Sequence, residues 1–190
     1  MNPRANLVDD GRTAEPADGS SRCGVVGLEP LSADPGDLRR AFGCFPSGVT
    51  AVCGLADDAS PVGMAASSFT SVSINPPLVS VCVQNTSTTW PRLRGLQRLG
   101  VSVLAEGQDD ACHRLSMKRG DRFAGVRWEA GADGAVFVYG ATVWLDCSLH
   151  SEVAAGDHTI ALLRIHGLRA EPDKAPLVFH GSRFRQLAVL

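Results

Sequence analysis

The residues of this chain best suited to chemistry are hydroxyls, gathered in one stretch over residues 61–91. Ser67, Ser68, Thr70, Ser71 and Ser73 crowd its first half. Gln84-Asn85-Thr86-Ser87-Thr88-Thr89 follow an apolar run, and Trp90-Pro91 come next. Hydroxyls followed by proline predict a helix start, with Thr88 or Thr89 as the cap and Pro91 in the first turn. Free backbone N–H groups and several hydroxyls then meet at one spot, which suits a phosphate. The same residues also make an ordinary capped helix with no ligand, and taken alone they favour that reading. His158 closes the triplet Gly156-Asp157-His158. Its ring titrates near neutrality, so its charge is available to modulate binding. A strand-start histidine hydrogen-bonded to Asp157 in a purely structural arrangement fits equally well.

Other chemistries find no pattern. The six cysteines, at 23, 44, 53, 82, 112 and 147, come no closer than nine positions, so no CxxC unit exists for zinc or thiol exchange. Cys82 and Cys147 fall in apolar runs, where free cysteine acts as a small hydrophobe. No set of His, Asp and Glu has metal-ligand spacing, so no metal is expected. His113, His150, His166 and His180 have no partner pattern. No Gly-x-Gly-x-x-Gly segment supports a Rossmann site for a dinucleotide.

The elements that must position these residues are mostly strands. Asp34-Pro35 opens a helix, with Asp34 capping and Leu38, Ala41 and Phe42 on one face, and it stops near residues 43–46. Strands are predicted at 49–55, at 62–73 and, past an Asn75-Pro76-Pro77 corner, at 78–83, where the sequence is β-branched and apolar. A short helix after Thr89 turns Leu93 and Leu96 inward, and residues 99–104 form a strand. Residues 108–117 form a helix with Ala111, Cys112, Leu115 and Met117 inward. A charged loop occupies 118–128. Period-two alternation over 141–153 puts Val143, Leu145, Cys147 and Leu149 on one face and Trp144, Asp146, Ser148 and His150 on the other. Strands at 159–168, 176–180 and 184–187 complete a count of seven or eight. The fold class is therefore mainly β, a small closed or nearly closed barrel with a few short helices. Closure removes the exposed edges that such apolar strands would otherwise present.

From about residue 38 to residue 187 the chain resembles the flavin reductase family, which folds as an FMN-binding split barrel. The resemblance rests on Phe45-Pro46-Ser47-Gly48-Val49-Thr50, on the run from Pro61 through Gly63-Met64-Ala65-Ala66-Ser67-Ser68-Phe69 to Ser73, and on Asn75-Pro76-Pro77-Leu78-Val79. Gly120-Asp121-Arg122-Phe123-Ala124-Gly125 and Gly156-Asp157-His158-Thr159 extend it. It implies an NAD(P)H:flavin oxidoreductase of the short-chain, two-component type. Such an enzyme takes FMN or FAD as flavin and NADH or NADPH as co-substrate, and passes reduced flavin to a separate oxygenase. It further implies that Met64 and Ala65 wall the flavin groove, and that Ser67 and Ser68 meet the flavin ring and ribityl chain. Asn85, Ser87, Thr88 and Thr89 would hold its phosphate, the backbone of Gln84 would face the same groove, Arg122 would reach that phosphate, and Phe123 would pack on the flavin. Gly156, Asp157, His158 and Arg183 would receive the nicotinamide, with His158 as the catalytic-site residue that orients it. Gly181-Ser182-Arg183-Phe184 resembles the family's closing phrase but departs from it in placing Ser182 beside the glycine. Family members are homodimers, so a homodimer is expected.

Hydride transfer between nicotinamide and flavin needs little acid–base machinery. The protein must hold two rings face to face, with reacting atoms about 3–3.5 Å apart, and exclude water. A chain without a nucleophile triad is consistent with this. Two rivals remain at this level: the same barrel holding flavin for another redox or rearrangement step, and a flavin-binding module without turnover. Of the 190 residues, 1–30 lack any periodic apolar pattern and read as a flexible extension, leaving 31–190 as one domain. A net charge of −2 gives no case for nucleic acid or an anionic membrane as partner. No signal-peptide or membrane-spanning run is present, and scattered cysteines suit a reducing cytoplasm.

Overall fold

The computed structural model describes residues 27–188, so most of the extension expected over residues 1–30 lies outside the described residues. The fold below is that of the unit beginning at Asp34, which is separate from the residues up to Ala33. Its first element is α1 (Pro35–Gly43). The Asp34 carboxylate accepts from Gly36 N–H at 2.8 Å and Pro35 occupies the first turn, as expected. The apolar face is not turned into a core, however. No residue of α1 is buried, and Phe42 and Phe45 are 70% and 76% exposed.

The strands follow as β1 (Ser47–Gly48), β2 (Thr50–Leu55), β3 (Pro61–Ala66), β4 (Thr70–Ser73) and β5 (Leu78–Gln84). After α2 (Trp90–Leu93) come β6 (Leu99–Val103) and α3 (Asp109–Leu115). The chain then runs through β7 (Trp128–Ala130), β8 (Val136–Val138), β9 (Val143–Ala155), β10 (His158–Ala170), β11 (Val178–His180) and β12 (Arg183–Arg185). Seven strands make one antiparallel sheet in the order β3-β2-β6-β9-β10-β5-β4. The sheet curls on itself. Val62 and Met64 at its β3 end pack in the same core as Val79, Val81 and Val83 of β5, together with Val52, Val101, Leu145, Cys147, Ala161 and Leu163. The alternation read in β9 holds, because Leu145 and Cys147 enter this core with Val143 and Leu149 packed against it.

A second core forms on the outer face of β2. Ala51 and Cys53 point there while Val52 points into the barrel, so this strand is buried on both sides and reads as an unbroken apolar run. Val49, Leu104, Leu115, Val126, Val136, Val138 and Leu177 fill that layer. The hairpin β7-β8 and the sheet β1-β11-β12 cover it. Gly100 is closely packed there, since an added Cβ would lie 2.0 Å from the Val136 carbonyl oxygen. Burial pushes the Cys53 and Cys147 thiols up to about 12, so both stay protonated and unreactive.

Three expectations are corrected. The single run over 62–73 is two strands, β3 and β4, separated by Ser67, Ser68 and Phe69. The count of seven or eight strands rises to twelve among the described residues, in part because β1, β7 and β8 are two or three residues long, too short to carry a periodic signal. Met117 falls beyond the end of α3 and is 37% exposed instead of facing inward. Among the described residues no helix is long and apolar enough to cross a membrane.

Candidate functional site

The break between β3 and β4 creates the site. By the register Thr70↔Ser80, residue 68 stands opposite Cys82 where β4 would go on pairing with β5. There the backbone ladder is replaced by one side chain. The Ser68 hydroxyl accepts from Cys82 N–H at 2.9 Å and donates to the Cys82 carbonyl at 3.1 Å. Both backbone groups are satisfied while the two strands splay apart.

The opening is a cavity of about 610 Å³. Met64, Ala65, Ala66, Ser67 and Ser68 line one wall, and Cys82, Val83, Gln84 and Thr86 to Thr89 line the other. Leu115, Ser116, Lys118 and Arg122 come from α3 and the loop after it, and His158 closes the rim. Nine of the residues proposed from sequence therefore converge on one space: Met64, Ala65, Ser67, Ser68, Gln84, Ser87, Thr88, Thr89 and Arg122, with His158 beside them. Met64 serves both sides, since it also packs in the barrel core.

The hydroxyl-rich segment is not the helix start predicted. Helix α2 holds four residues, and Thr89 makes no side-chain cap bond. The cap is Ser87, whose hydroxyl accepts from Trp90 N–H at 3.2 Å. One turn has no macrodipole to offer, because that field builds from many aligned peptides. The anion-binding character rests instead on individual groups. Among the described residues the hydroxyls of Ser67, Thr86, Thr88 and Thr89 have no hydrogen-bond partner, and neither do the backbone N–H groups of Thr86, Thr88 and Thr89. Unspent donors facing a cavity suit an anion.

Asn85 does not line the cavity; it ties the rim together. Its amide nitrogen donates to Gly156 O at 3.2 Å, its amide oxygen accepts from Thr159 Oγ1 at 2.9 Å, and its N–H donates to Asp157 O at 3.0 Å. The β9–β10 turn is thereby locked to the end of β5, where His158 pairs with Gln84. Gly156 and Asp157 stay outside the lining and act through that turn, with Gly156 at φ 65°. The His158 Nδ1 lies 2.7 Å from Asp157 Oδ1, so Nδ1 carries a proton and Nε2 is left for a ligand. That hydrogen bond and the His158 charge hold the Asp157 carboxyl below the ordinary carboxylate range.

Arg122 donates to the Gly63 carbonyl at 3.0 Å, which fixes the loop against β3. Gly63 is needed there: an added Cβ would meet Cys53 Sγ at 2.5 Å and the Phe123 ring at 2.9 Å. Desolvation, and then the nearby Arg92, lower the Arg122 pKa. Phe123 is displaced from its expected place on the large cavity. Its ring packs toward the second core, edge-on to Trp128, and lines a neighbouring cavity of about 340 Å³ with Arg92, Lys118, Arg119 and Arg122. Arg183, in β12, lines neither cavity. Sequence reading missed Cys82, Lys118, Ser116 and Arg92. Cys82 and Ser116 carry no motif, but a lysine and an arginine flanking the site were visible as charge. Among the described residues no three His, Cys, Asp or Glu are grouped to hold a metal.

Hydroxyls and amides along one wall, cations at one end and a histidine at the rim thus line one cavity in a curled antiparallel sheet. Residues 42–188 match the model of the flavin reductase like domain, and the chain belongs to that family. It is 36% identical over 157 residues to a flavin reductase of Pseudomonas putida, covering 83% of this chain and 92% of that one. It is 35% identical over 161 residues to the reductase subunit of a flavin-dependent monooxygenase from Rhodococcus jostii, covering 85% and 81%. The structure superposes with a TM-score of 0.76 and 40% identity on the Streptomyces globisporus NADH:FAD oxidoreductase in complex with NAD and FAD fragments, over 84% of this chain and 98% of that one.

Proposed function

We propose that this protein is an NAD(P)H-dependent flavin reductase that supplies reduced flavin to a separate oxygenase. The observation that carries this reading is the convergence of the β3 end, the post-β5 hydroxyls, Arg122 and His158 on one cavity of about 610 Å³. That volume lies in the usual range for small-ligand and cofactor sites, roughly 300–1,000 Å³. A flavin bound there supplies the two-electron acceptor for the hydride of a reduced nicotinamide. The chain's own residues bind, orient and shield. Met64 and Ala65 form the apolar wall for a ring system, and Ser67 and the neighbouring backbone offer hydrogen bonds along it. The Ser68 hydroxyl is spent on Cys82, so its contribution is to hold the groove open. Thr88, Thr89, Lys118 and Arg122 receive the phosphate end. His158, its Nδ1 held by Asp157, presents Nε2 to the nicotinamide from the rim. Asn85 fixes that rim.

The protein is further read as a homodimer, because the apolar face of α1 is left uncovered within its own unit, and as cytoplasmic, with Cys44, Cys53, Cys82, Cys112 and Cys147 all free thiols. The flavin-binding domain is taken as residues 31–190. The test is to mix purified protein with NADH or NADPH and with FMN, FAD or no flavin, and to follow nicotinamide absorbance. Oxidation that depends on added flavin is expected. Tight flavin binding without turnover would make the protein a binding module instead.

A further inference from the structure

The segment that carries the unspent hydroxyls is held at both ends by one pair of strands. At its front, Asn85 is tied to Gly156, Asp157 and Thr159 of the β9–β10 hairpin. At its back, Trp90 donates its indole Nε1–H to Glu152 Oε1 at 2.8 Å, and the other oxygen of that carboxylate lies 2.8 Å from the Arg94 guanidinium. Glu152 belongs to β9 and stands opposite Ala161 of β10. Directly opposed residues share a sheet face, and Ala161 is buried in the barrel core, so the Glu152 side chain turns inward. It is only 19% exposed. A carboxylate in such a place costs stability unless its oxygens are engaged, and here both are. Trp90 is itself buried in that core with Leu93, so its indole has one fixed seat, and its backbone N–H is bonded to Ser87 Oγ. Thr88 and Thr89 lie between those two bonded residues and face the cavity.

We propose that Glu152 is a positioning residue for anion binding: through the Trp90 indole it sets where Thr88 and Thr89 present their hydroxyls to the cavity. Its role rests on the flavin reading of that cavity and deepens it. Glu152 does not itself line the cavity, so it acts only through the segment it holds. The indole bond carries the effect, because Arg94 is half exposed and an ion pair in contact with water contributes little. A ligand without a phosphate makes no use of Thr88 and Thr89. The role is therefore felt by FMN and not by riboflavin.

The test titrates riboflavin and FMN by fluorescence quenching against full-length wild type, Glu152→Ala, Glu152→Gln, Trp90→Phe and the Glu152→Ala/Trp90→Phe double variant. Glu152→Ala removes the acceptor and should lower FMN affinity roughly tenfold, with riboflavin changed less than about twofold. Trp90→Phe keeps a ring in the core but removes the donor, and should lose FMN affinity to the same extent. The double variant should lose no more than either single one, since both changes remove the same bond. Glu152→Gln keeps an oxygen for the indole and should stay within about twofold of wild type for FMN. The indole N–H resonance absent from Trp90→Phe identifies Trp90, and it should shift in Glu152→Ala. Equal losses for riboflavin and FMN would make Glu152 a barrel-closing residue only and overturn the proposal. Unchanged FMN affinity in Glu152→Ala, or losses that add in the double variant, would overturn it as well. Should Glu152→Ala fail to fold, Trp90→Phe decides: an FMN-selective loss upholds the role, and an equal or absent loss removes it. If neither flavin binds wild type, the flavin reading falls and this role with it. Binding of both flavins without an FMN-selective loss in the variants overturns this inference alone.

Discussion

At the scale of single residues, the cavity lining separates hydroxyls with unspent hydrogen-bonding capacity from hydroxyls already spent on the fold. Thr88 and Thr89 have hydroxyls with no partner and face the cavities, whereas Ser87 spends its lone pair on Trp90 N–H. Thr88→Val and Thr89→Val remove the hydroxyls while keeping the shape. FMN affinity should fall roughly tenfold or more, at about 1–3 kcal/mol per engaged hydroxyl, and riboflavin affinity should barely move. Equal losses for both ligands would mean damage to the fold. His158 gives a different signature. His158→Ala should leave flavin affinity and Tm near wild type but lower kcat/KM for the nicotinamide about tenfold to a hundredfold, or about 1.4–2.7 kcal/mol. A purely structural histidine would show the reverse, with lower Tm and weaker flavin binding but an unchanged nicotinamide KM. The variant also releases Asp157. Because His158 depresses the folded-state pKa of that carboxyl, the pair adds stability above the unfolded-state value and loses it as pH falls through the folded value, but at a fully exposed carboxyl this is too small to move Tm. Carboxyl NMR should show Asp157 titrating higher in the variant.

Among the elements, the informative feature is the seam between β4 and β5. Ser68 closes it with one hydroxyl serving both backbone groups of Cys82. Ser68→Ala would leave an N–H and a carbonyl without their partner at the lip of the cavity, at a cost of about 1–3 kcal/mol. The expected result is a lower Tm, faster hydrogen exchange at the Cys82 amide and weaker binding of all flavins, riboflavin included. Unchanged exchange at Cys82 would show that the seam closes without Ser68. The sequence made the long elements legible because their burial is patterned: alternation in β9 and the largely apolar, β-branched run of β5 each state which faces are covered. The resemblance brought the right segments together, and ten residues named from it line the large cavity. What stayed hidden was whatever depends on pairing between distant segments. Nothing in Ser67-Ser68-Phe69 announces that strand pairing stops there, since the stop is defined by Cys82 across the seam. Thr89 looked like a cap because its neighbours suit one, yet Ser87 has the better geometry. Asn85 looked like a phosphate ligand, but its partners Gly156 and Thr159 lie more than seventy positions away.

For the whole molecule, the question is what covers α1. Its sequence put Leu38, Ala41 and Phe42 on one face, and its cap formed as predicted, yet Leu38, Phe42 and the following Phe45 are 38%, 70% and 76% exposed. A single exposed leucine needs no explanation, but two exposed phenylalanines beside it make a patch of the kind that partners bury. Trp144, on the polar face of β9, is covered within its own unit. Its ring stacks on Phe137 at 5.3 Å, lies 5.2 Å from the Arg169 guanidinium, and donates Nε1–H to Val138 O at 2.8 Å. The prediction of a homodimer therefore rests on the α1 patch. Light scattering at micromolar concentration should give about twice the 20.0 kDa of one chain. Phe42→Glu/Phe45→Glu places charges on exposed positions, where a monomer tolerates them but a buried interface does not. That variant should shift to the mass of one chain with its secondary structure intact. A wild-type mass of one chain would remove the dimer, and a dimer that survives both charges would move its interface away from α1.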